Sequence, residues 1–439
     1  MAPETGKENN KKDNKKNNKK YWFSIEPYVH ISLKKNSLLI YNTLSGKSLE
    51  YHFRNAGEAK IPGLFKKLQA NKNLQVISLT GLDLLDPVIF GIVKDTQKYY
   101  MSELIDTECS KGKPVQMKPV VTIIKDIDKL ENEFNRSGGE DIMGYLTELS
   151  LVINNTCSQN CSICKAGYRQ FPCCTSGKNN NRILEPGKIR NLFTLLTVSS
   201  LRNINILGGD IFAYPKFEEL AMMLNSIRVN KTIYNHYLNF QADSEKLQSL
   251  TPGSSLIKSL VTYPIDQGSL KSVQETISQL PFPYEFIFII QDGREYAQAE
   301  EVVNTMQTQA YSYQPFFSGK NLEFFKENVF IGKDEILASK PLMRDIYINT
   351  VVNKLDFGRL TVFNNGDIYA NVNEPKLGIL GKTSVHEILY KEIVQGKSWR
   401  KVRRNVKPCK SCIFQSLCPP LSNYNYAIGK NNLCHITLD

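Results

Sequence analysis

Thr156-Cys157-Ser158-Gln159-Asn160-Cys161-Ser162-Ile163-Cys164 is the stretch around which the chain is organised. It follows Glu148 to Asn154, a run predicted as a β-strand, so a C-x3-C-x2-C array sits in the loop at a strand's C-terminal end. Thiolate sulfur is the ligand type of iron–sulfur clusters and of zinc. Three cysteines so spaced can wrap one face of a cluster and leave one iron without a protein ligand, open to a chelating substrate. A structural zinc site is the alternative. It wants four ligands, usually as paired C-x2-C, and Cys173 or Cys174 would have to complete it. Disulfides suit an oxidising compartment instead.

Outward from this loop the text alternates strand and helix. Pro186 to Thr197 is a predicted helix, and Asn203 to Leu207 a strand ending in Gly208-Gly209-Asp210. Pro215 to Ile227 is a helix. Thr232 to Phe240 and Ser259 to Tyr263 are strands, each expected to precede a helix. Glu285 to Gln291 is an apolar strand of the kind buried on both faces, and Ala297 to Gln309 the helix after it. Five or six such units predict an α/β fold with a parallel sheet and right-handed crossovers, closed into a full or partial barrel. Chemistry in such folds sits at the C-terminal strand ends.

Before this region, Tyr21 to Phe53 alternates like an antiparallel meander. Helices are predicted over Ile61 to Gln69 and Asp86 to Lys98, with Asp86 as N-cap and Pro87 in the first turn. This is a winged-helix-like unit, residues 21–140. Residues 1–20 hold seven lysines against three acids and read as a disordered basic tail. After about residue 345 a hairpin turning at Asn364-Asn365-Gly366-Asp367 precedes Cys409-x2-Cys412-x5-Cys418 and Cys434. Asp292-Gly293 reads as a turn, and Arg403 and Arg404 as solvated charge.

With 439 residues, 41% hydrophobic and 22% charged, the chain is not wholly disordered, collagen-like or a small disulfide-stapled protein. No apolar run is long enough to span a membrane, and the N-terminus lacks the apolar stretch of a secretory signal. The expected location is cytoplasmic, with no membrane partner. The net charge of +12 chooses no partner alone. The aromatics Tyr21, Trp22 and Phe23 suit a core better than base stacking, so no nucleic acid is expected.

Cys157, Cys161 and Cys164 resemble the signature of the radical S-adenosylmethionine enzymes. That resemblance implies a partial (β/α)6 radical-SAM barrel over 146–340 and a catalytic 4Fe-4S cluster on these three cysteines. It also implies S-adenosyl-L-methionine bound through the open iron, and hydrogen abstraction by a 5′-deoxyadenosyl radical. Gly208, Gly209 and Asp210 resemble the family's Gly-Gly-Glu segment, which contacts the methionyl amino group, with an acid one carbon shorter. By strand order Gln241 and Thr262 are expected near the ribose and carboxylate.

Cys409, Cys412, Cys418 and Cys434 resemble the SPASM extension of peptide-modifying radical enzymes, here residues 345–439. That extension usually carries two auxiliary clusters. Asn371 and Ser422 stand where ligands of the first are expected, which implies a single auxiliary 4Fe-4S cluster on the remaining four cysteines. Zinc stays open there. The arrangement from about Tyr21 to Cys434 resembles the radical and pseudo-radical SPASM proteins of GG-Bacteroidales peptide systems. The implied partners are a ribosomally made precursor peptide, whose leader adds a strand to the N-terminal sheet, and a reductant such as a flavodoxin or ferredoxin. The expected outcome is a cross-link, thioether or epimerisation. A catalytically silent scaffold that binds the leader and assists a partner maturase is the rival expectation. Cys173 and Cys174 read as loop packing, or as hydrogen-atom donors if epimerisation is the outcome.

Overall fold

The computed structural model describes residues 19–437 except 54–59, 71, 111, 117–120, 125–126, 128–129, 131–139, 174–181 and 241–243. The predicted tail up to Asn18, Cys174 and Gln241 lie outside the described residues. None of the described helices is long and apolar enough to cross a membrane.

The N-terminal region contains, in order, β1 (Lys20–Ile25), β2 (Val29–Leu33), β3 (Ser37–Asn42), β4 (Ser48–His52), α1 (Lys60–Gln69), β5 (Val76–Thr80), α2 (Pro87–Lys98) and β6 (Ser102–Asp106). The single meander expected from Tyr21 to Phe53 divides. β2, β3 and β4 form one antiparallel sheet, whereas β1 lies between β5 and β6 in another. Pro27 lies in the turn after β1, and the end of β1 is tied away from β2 by Ile25 N donating to Gln75 O and Glu26 N to Met101 O, each at 3.0 Å. Phe23 and Ile25 are fully buried with Phe65, Ile77 and Ile92. Asp86 caps α2 as expected, its carboxylate accepting from the Val88 amide at 2.9 Å.

The second region starts with β7 (Glu148–Val152), α3 (Pro186–Leu195), β8 (Asn203–Leu207) and α4 (Phe217–Asn225). It continues through β9 (Asn230–His236), β10 (Ser255–Val261), α5 (Gln267–Ser278), β11 (Tyr284–Ile290), α6 (Gly293–Met306) and β12 (Tyr311–Pro315). The six strands are parallel and lie side by side in chain order. The helix expected between β9 and β10 is replaced by short 3-10 turns, in a stretch containing Pro252-Gly253. Asp292-Gly293 is not a free turn: Asp292 caps α6 by accepting from the Arg294 and Glu295 amides, each at 2.9 Å.

Side-chain alternation divides the sheet into two apolar faces. Leu149, Leu151, Ile206, Ile233, Phe286 and Phe288 pack with Leu192, Leu224, Val273 and Val302 of the helices. Val152, Leu207, Tyr234, Leu260, Ile287 and Ile289 form the other face, where Ile163, Phe171 and Cys173 of the cysteine loop cover them. β11 is thus buried on both sides, which is why its sequence is almost continuously apolar.

Beyond β12 come α7 (Leu322–Asn328), α8 (Lys333–Ala338) and α9 (Met343–Asn349). The hairpin strands β13 (Arg359–Val362) and β14 (Asp367–Tyr369), then β15 (Gly378–Ile379) and α10 (Val385–Gln395), follow. β13 pairs parallel with β7, so the sheet runs to nine strands with β12 and β15 as its edges. Trp399 locks this extension. It is 0% exposed, packs at a tilt with its ring centre 5.1 Å from that of Phe357 and donates its indole N–H to Arg359 O at 3.1 Å. Trp399→Ala is expected to lower stability by about 3–5 kcal/mol, read as a fall in the denaturation midpoint.

Candidate metal and cofactor site

β7 and β8 end side by side, and the side chain of Asn154 joins the loops that leave them. Its Oδ1 accepts from Gly209 N at 3.0 Å and its Nδ2 donates to Asp210 O at 2.7 Å. Asp210 N then donates to Thr156 O at 2.5 Å. The Gly-Gly-Asp segment and the cysteine loop are therefore one hydrogen-bonded unit. A Cβ on Gly209 would lie 2.1 Å from Thr156 O, and one on Gly208 2.9 Å from Asn154 Oδ1. The glycines were expected to admit a ligand. In the structure they admit the cysteine loop. Asp210 Oδ1 accepts from Phe212 N at 3.0 Å, closing its own turn.

The cysteine loop turns at Asn160, whose φ is +51°, a left-handed value that asparagine tolerates better than most residues. Cys161 precedes a 3-10 turn, Ser162–Lys165, in which Cys164 N donates to Cys161 O at 3.1 Å. Buried Ile163 pins this turn to the apolar face. Cys157, Cys161 and Cys164 are all half-buried and free of disulfides. Burial, then the neighbouring Cys164 and Cys157, pushes the Cys161 thiol up to about 11. Iron displaces such a proton when it binds.

Residues from the next two strands approach the same sulfurs. Asn239 donates to Cys157 Sγ at 3.7 Å and is itself held by Gln159 at 2.8 Å. Thr262 stands beside Cys161 and counters the rise of its thiol, and its Oγ1 lies 2.9 Å from His236 Nε2. Burial holds His236 neutral, with a pKa lowered to about 4. Its Nδ1 accepts from Leu238 N at 3.3 Å, so the ring proton is on Nε2 and points at Thr262. That leaves the Thr262 hydroxyl free to donate to sulfur. Thr262 was chosen from strand order alone. Asn154, Asn239 and His236 were missed, because an isolated Asn or His after a strand carries no sequence signal.

Cys173 is buried in the apolar cluster, as loop packing predicts. Burial pushes its thiol up to about 12, Arg169 opposes this, and Cys164 and Cys161 add to it. The segment before it is clamped at two points. Arg169 exchanges backbone bonds with the Asn373 side chain, each 2.8 Å. Gln170 does the same with the Phe317 backbone, at 2.7 and 2.8 Å. Beside it a pocket opens, lined by Glu148, Arg169, Cys173, Asp356, Arg359 and Asn371 among others.

Cys409, Cys412, Cys418 and Cys434 come together at a second place and line one pocket. Arg403 lines it too. Its sequence context suggested solvated surface charge, yet it is only 9% exposed. It donates to Cys409 Sγ at 3.5 Å and to the carbonyls of Pro419 and Asn431 at 2.5 and 2.9 Å. Burial pushes the Cys418 thiol up to about 12 while Arg403 opposes it. The donor set at both places is sulfur, which suits iron–sulfur clusters. Among the described residues, no three His, Cys, Asp or Glu side chains form a group able to hold a single metal ion.

Asn371 and Ser422 have other work. Asn371 Nδ2 donates to Asp356 Oδ1 at 2.9 Å and to Asn423 Oδ1 at 2.8 Å, and Asn353 reaches Asp356 Oδ2 at 3.2 Å. The Ser422 amide bonds Asn425 Oδ1 at 2.8 Å at the start of α11 (Asn423–Ile428). Burial raises Asp356 from 3.8 to about 7, opposed by Asn371 and Arg359.

Neither protein-family models nor curated proteins match the chain. Among solved structures, Streptococcus suis SuiB bound to precursor peptide SuiA aligns with a TM-score of 0.47 and 12% identity, over 93% of this chain and 97% of that one. SuiB bound to S-adenosylmethionine aligns at 0.45 and 13%, over 93% and 97%. Polyhistidine-tagged anSMEcpe with bound AdoMet aligns at 0.44 and 12%, over 64% of this chain and 91% of that one.

Gly209→Ala is expected to destabilise the chain by about 2–3 kcal/mol, read by chemical denaturation. Asp356 has a folded pKa above its unfolded value, so the native state binds the extra proton between 3.8 and about 7. Its contribution to stability therefore falls as pH rises through that window. The midpoint of Asp356→Asn relative to the parent chain is expected to climb from pH 4 to pH 8 in a thermal-shift series.

Proposed function

We propose that the chain is a radical S-adenosylmethionine enzyme that modifies a ribosomally made peptide. One observation carries this reading: a C-x3-C-x2-C loop at the end of one parallel strand, laced through Asn154 to Gly-Gly-Asp at the end of the next. When bound, the 4Fe-4S cluster supplies one-electron cleavage of S-adenosyl-L-methionine, with the electron coming from a flavodoxin or ferredoxin. Cys157, Cys161 and Cys164 ligate it. Asn239 and Thr262 donate hydrogen bonds to ligand sulfur, which fixes ligand orientation and tunes the metal. Gly208 and Gly209 let the Gly-Gly-Asp segment lie against the cysteine loop, and that segment, by its place beside the loop, serves the cofactor's methionyl end, while Gln241, by strand order, serves the ribose.

The pocket between β7, β13 and the Cys173 segment receives the peptide side chain that loses hydrogen. Its wall carries both arginine and carboxylate groups, so it selects a polar residue. β4 is an edge of its sheet, with backbone groups open to a leader strand. Cys409, Cys412, Cys418 and Cys434 hold the auxiliary 4Fe-4S cluster. Four sulfurs lining a pocket suit a cube better than one tetrahedral ion, and four thiolates saturate it, which favours electron transfer.

The rival reading is a silent scaffold that binds leader peptide for a partner maturase. It draws on Asp210, whose shorter carboxylate is engaged by Phe212. Anaerobic reconstitution with reductant and S-adenosylmethionine separates the two. The enzyme is expected to bind about eight iron atoms, two clusters' worth, and to release 5′-deoxyadenosine. Iron without that product establishes the scaffold. Cys161→Ala is expected to abolish 5′-deoxyadenosine formation, measured chromatographically, while peptide binding stays within about twofold.

A further inference from the structure

The second cysteine site is not built from the C-terminal region alone. Leu39 and Tyr41 of β3 pack in one apolar cluster with Ile336, Phe414, Leu417, Cys412 and Cys418. The Tyr41 hydroxyl donates to Leu337 O at 2.7 Å, and Lys333 pairs with Glu50 of β4 at 2.8 Å. The turn between β2 and β3 carries half-buried Lys34. With the Gln415 amide oriented to satisfy both neighbours, its oxygen accepts from Lys34 Nζ at 2.5 Å and its nitrogen donates to Cys409 O at 3.1 Å. Gln415 itself lines the pocket with the four cysteines.

Charge gives this arrangement a purpose. Four thiolates around a cube or a zinc ion with two positive charges leave a doubly negative group. Arg403 supplies one buried cation against it. A lone buried cation leaves the group half-neutralised in a poorly solvating site. Lys34, with its Nζ 2.5 Å from the Gln415 oxygen, is the second cation.

We propose that Lys34 is the outer-sphere cation of the Cys409, Cys412, Cys418 and Cys434 metal–thiolate group, so that this group is complete only when the N-terminal hairpin is docked on it. The inference rests on these four cysteines holding metal. Lys34 acts through Gln415 and through the field at the sulfurs, and is a positioning residue. Outer-shell partners of this kind are worth roughly 10–100-fold in metal affinity, and a cation beside a cluster favours its reduced state.

The test uses the full chain, loaded anaerobically, as Lys34→Met, Lys34→Arg and Glu50→Gln. Release of metal from the four-cysteine site is followed with bathophenanthroline for iron and pyridylazoresorcinol for zinc. The site is identified by its loss in Cys409→Ala. Lys34→Met is expected to release metal at least roughly tenfold faster, with a lower cluster potential in an electron-paramagnetic titration. Lys34→Arg should restore both. Glu50→Gln removes one partly exposed ion pair but keeps Lys34, the Tyr41 bond and the apolar cluster, so the hairpin stays docked and both should be unchanged. Equal release and equal potential in Lys34→Met and the parent chain overturn the proposal, as does a Glu50→Gln effect as large as that of Lys34→Met. Zinc found at the site would sink the iron–sulfur reading while the release rates still decide the role of Lys34. Metal unchanged in Cys409→Ala overturns both.

Discussion

The side-chain amide of Asn154 is the constraint on which the first site depends. It gives its oxygen to Gly209 N and its nitrogen to Asp210 O, so one planar group fixes the spacing of two loops that a sheet alone would leave independent. Glycine at 208 and 209 follows from that closeness, since a Cβ would collide with the Asn154 and Thr156 backbone or side chain. The turn at Asn160, the burial of Ile163 and the approach of Asn239 and Thr262 then orient three sulfurs from outside. The site is rigid because its supports come from four consecutive strand ends, each anchored in a core covered by helices.

The strands were legible because each carries its own period. β11 reads as buried on both faces from its unbroken apolar run, and β8 from its alternation up to Gly208. The cysteines were legible because sulfur at fixed spacing has few uses. Pairing was less so. β1 has the same local texture as β2 and β3, and only the distant β5 and β6 settle where it goes. Polar supports were the least legible. Asn154, His236 and Arg403 each act through a single partner far away or on another loop, and local pattern does not encode that. Arg403 and Arg404 look alike in sequence, yet Arg403 is turned inward onto Cys409 and the carbonyls around it.

Asn371 and Ser422 stand where the resemblance places ligands, and in the structure each is used for hydrogen bonding. A thiolate there would need metal to neutralise it. An amide at 371 instead bridges Asp356 and Asn423, and the Ser422 amide and hydroxyl open a helix. The region is held at these positions by hydrogen bonds. The cost is a carboxyl held in a poorly solvating place, visible in the elevated pKa of Asp356. Because a network of this kind is satisfied only as a whole, its four members are expected to change together or not at all.

The clamps on Arg169 and Gln170 fix one wall of the pocket beside Cys173. Asn373 holds one residue through both backbone groups and Phe317 holds the next through its side chain. A segment gripped by paired bonds from two separate parts of the chain has no hinge. It is a fixed sill rather than a door, so whatever occupies the pocket beside Cys173 meets a wall already set in place.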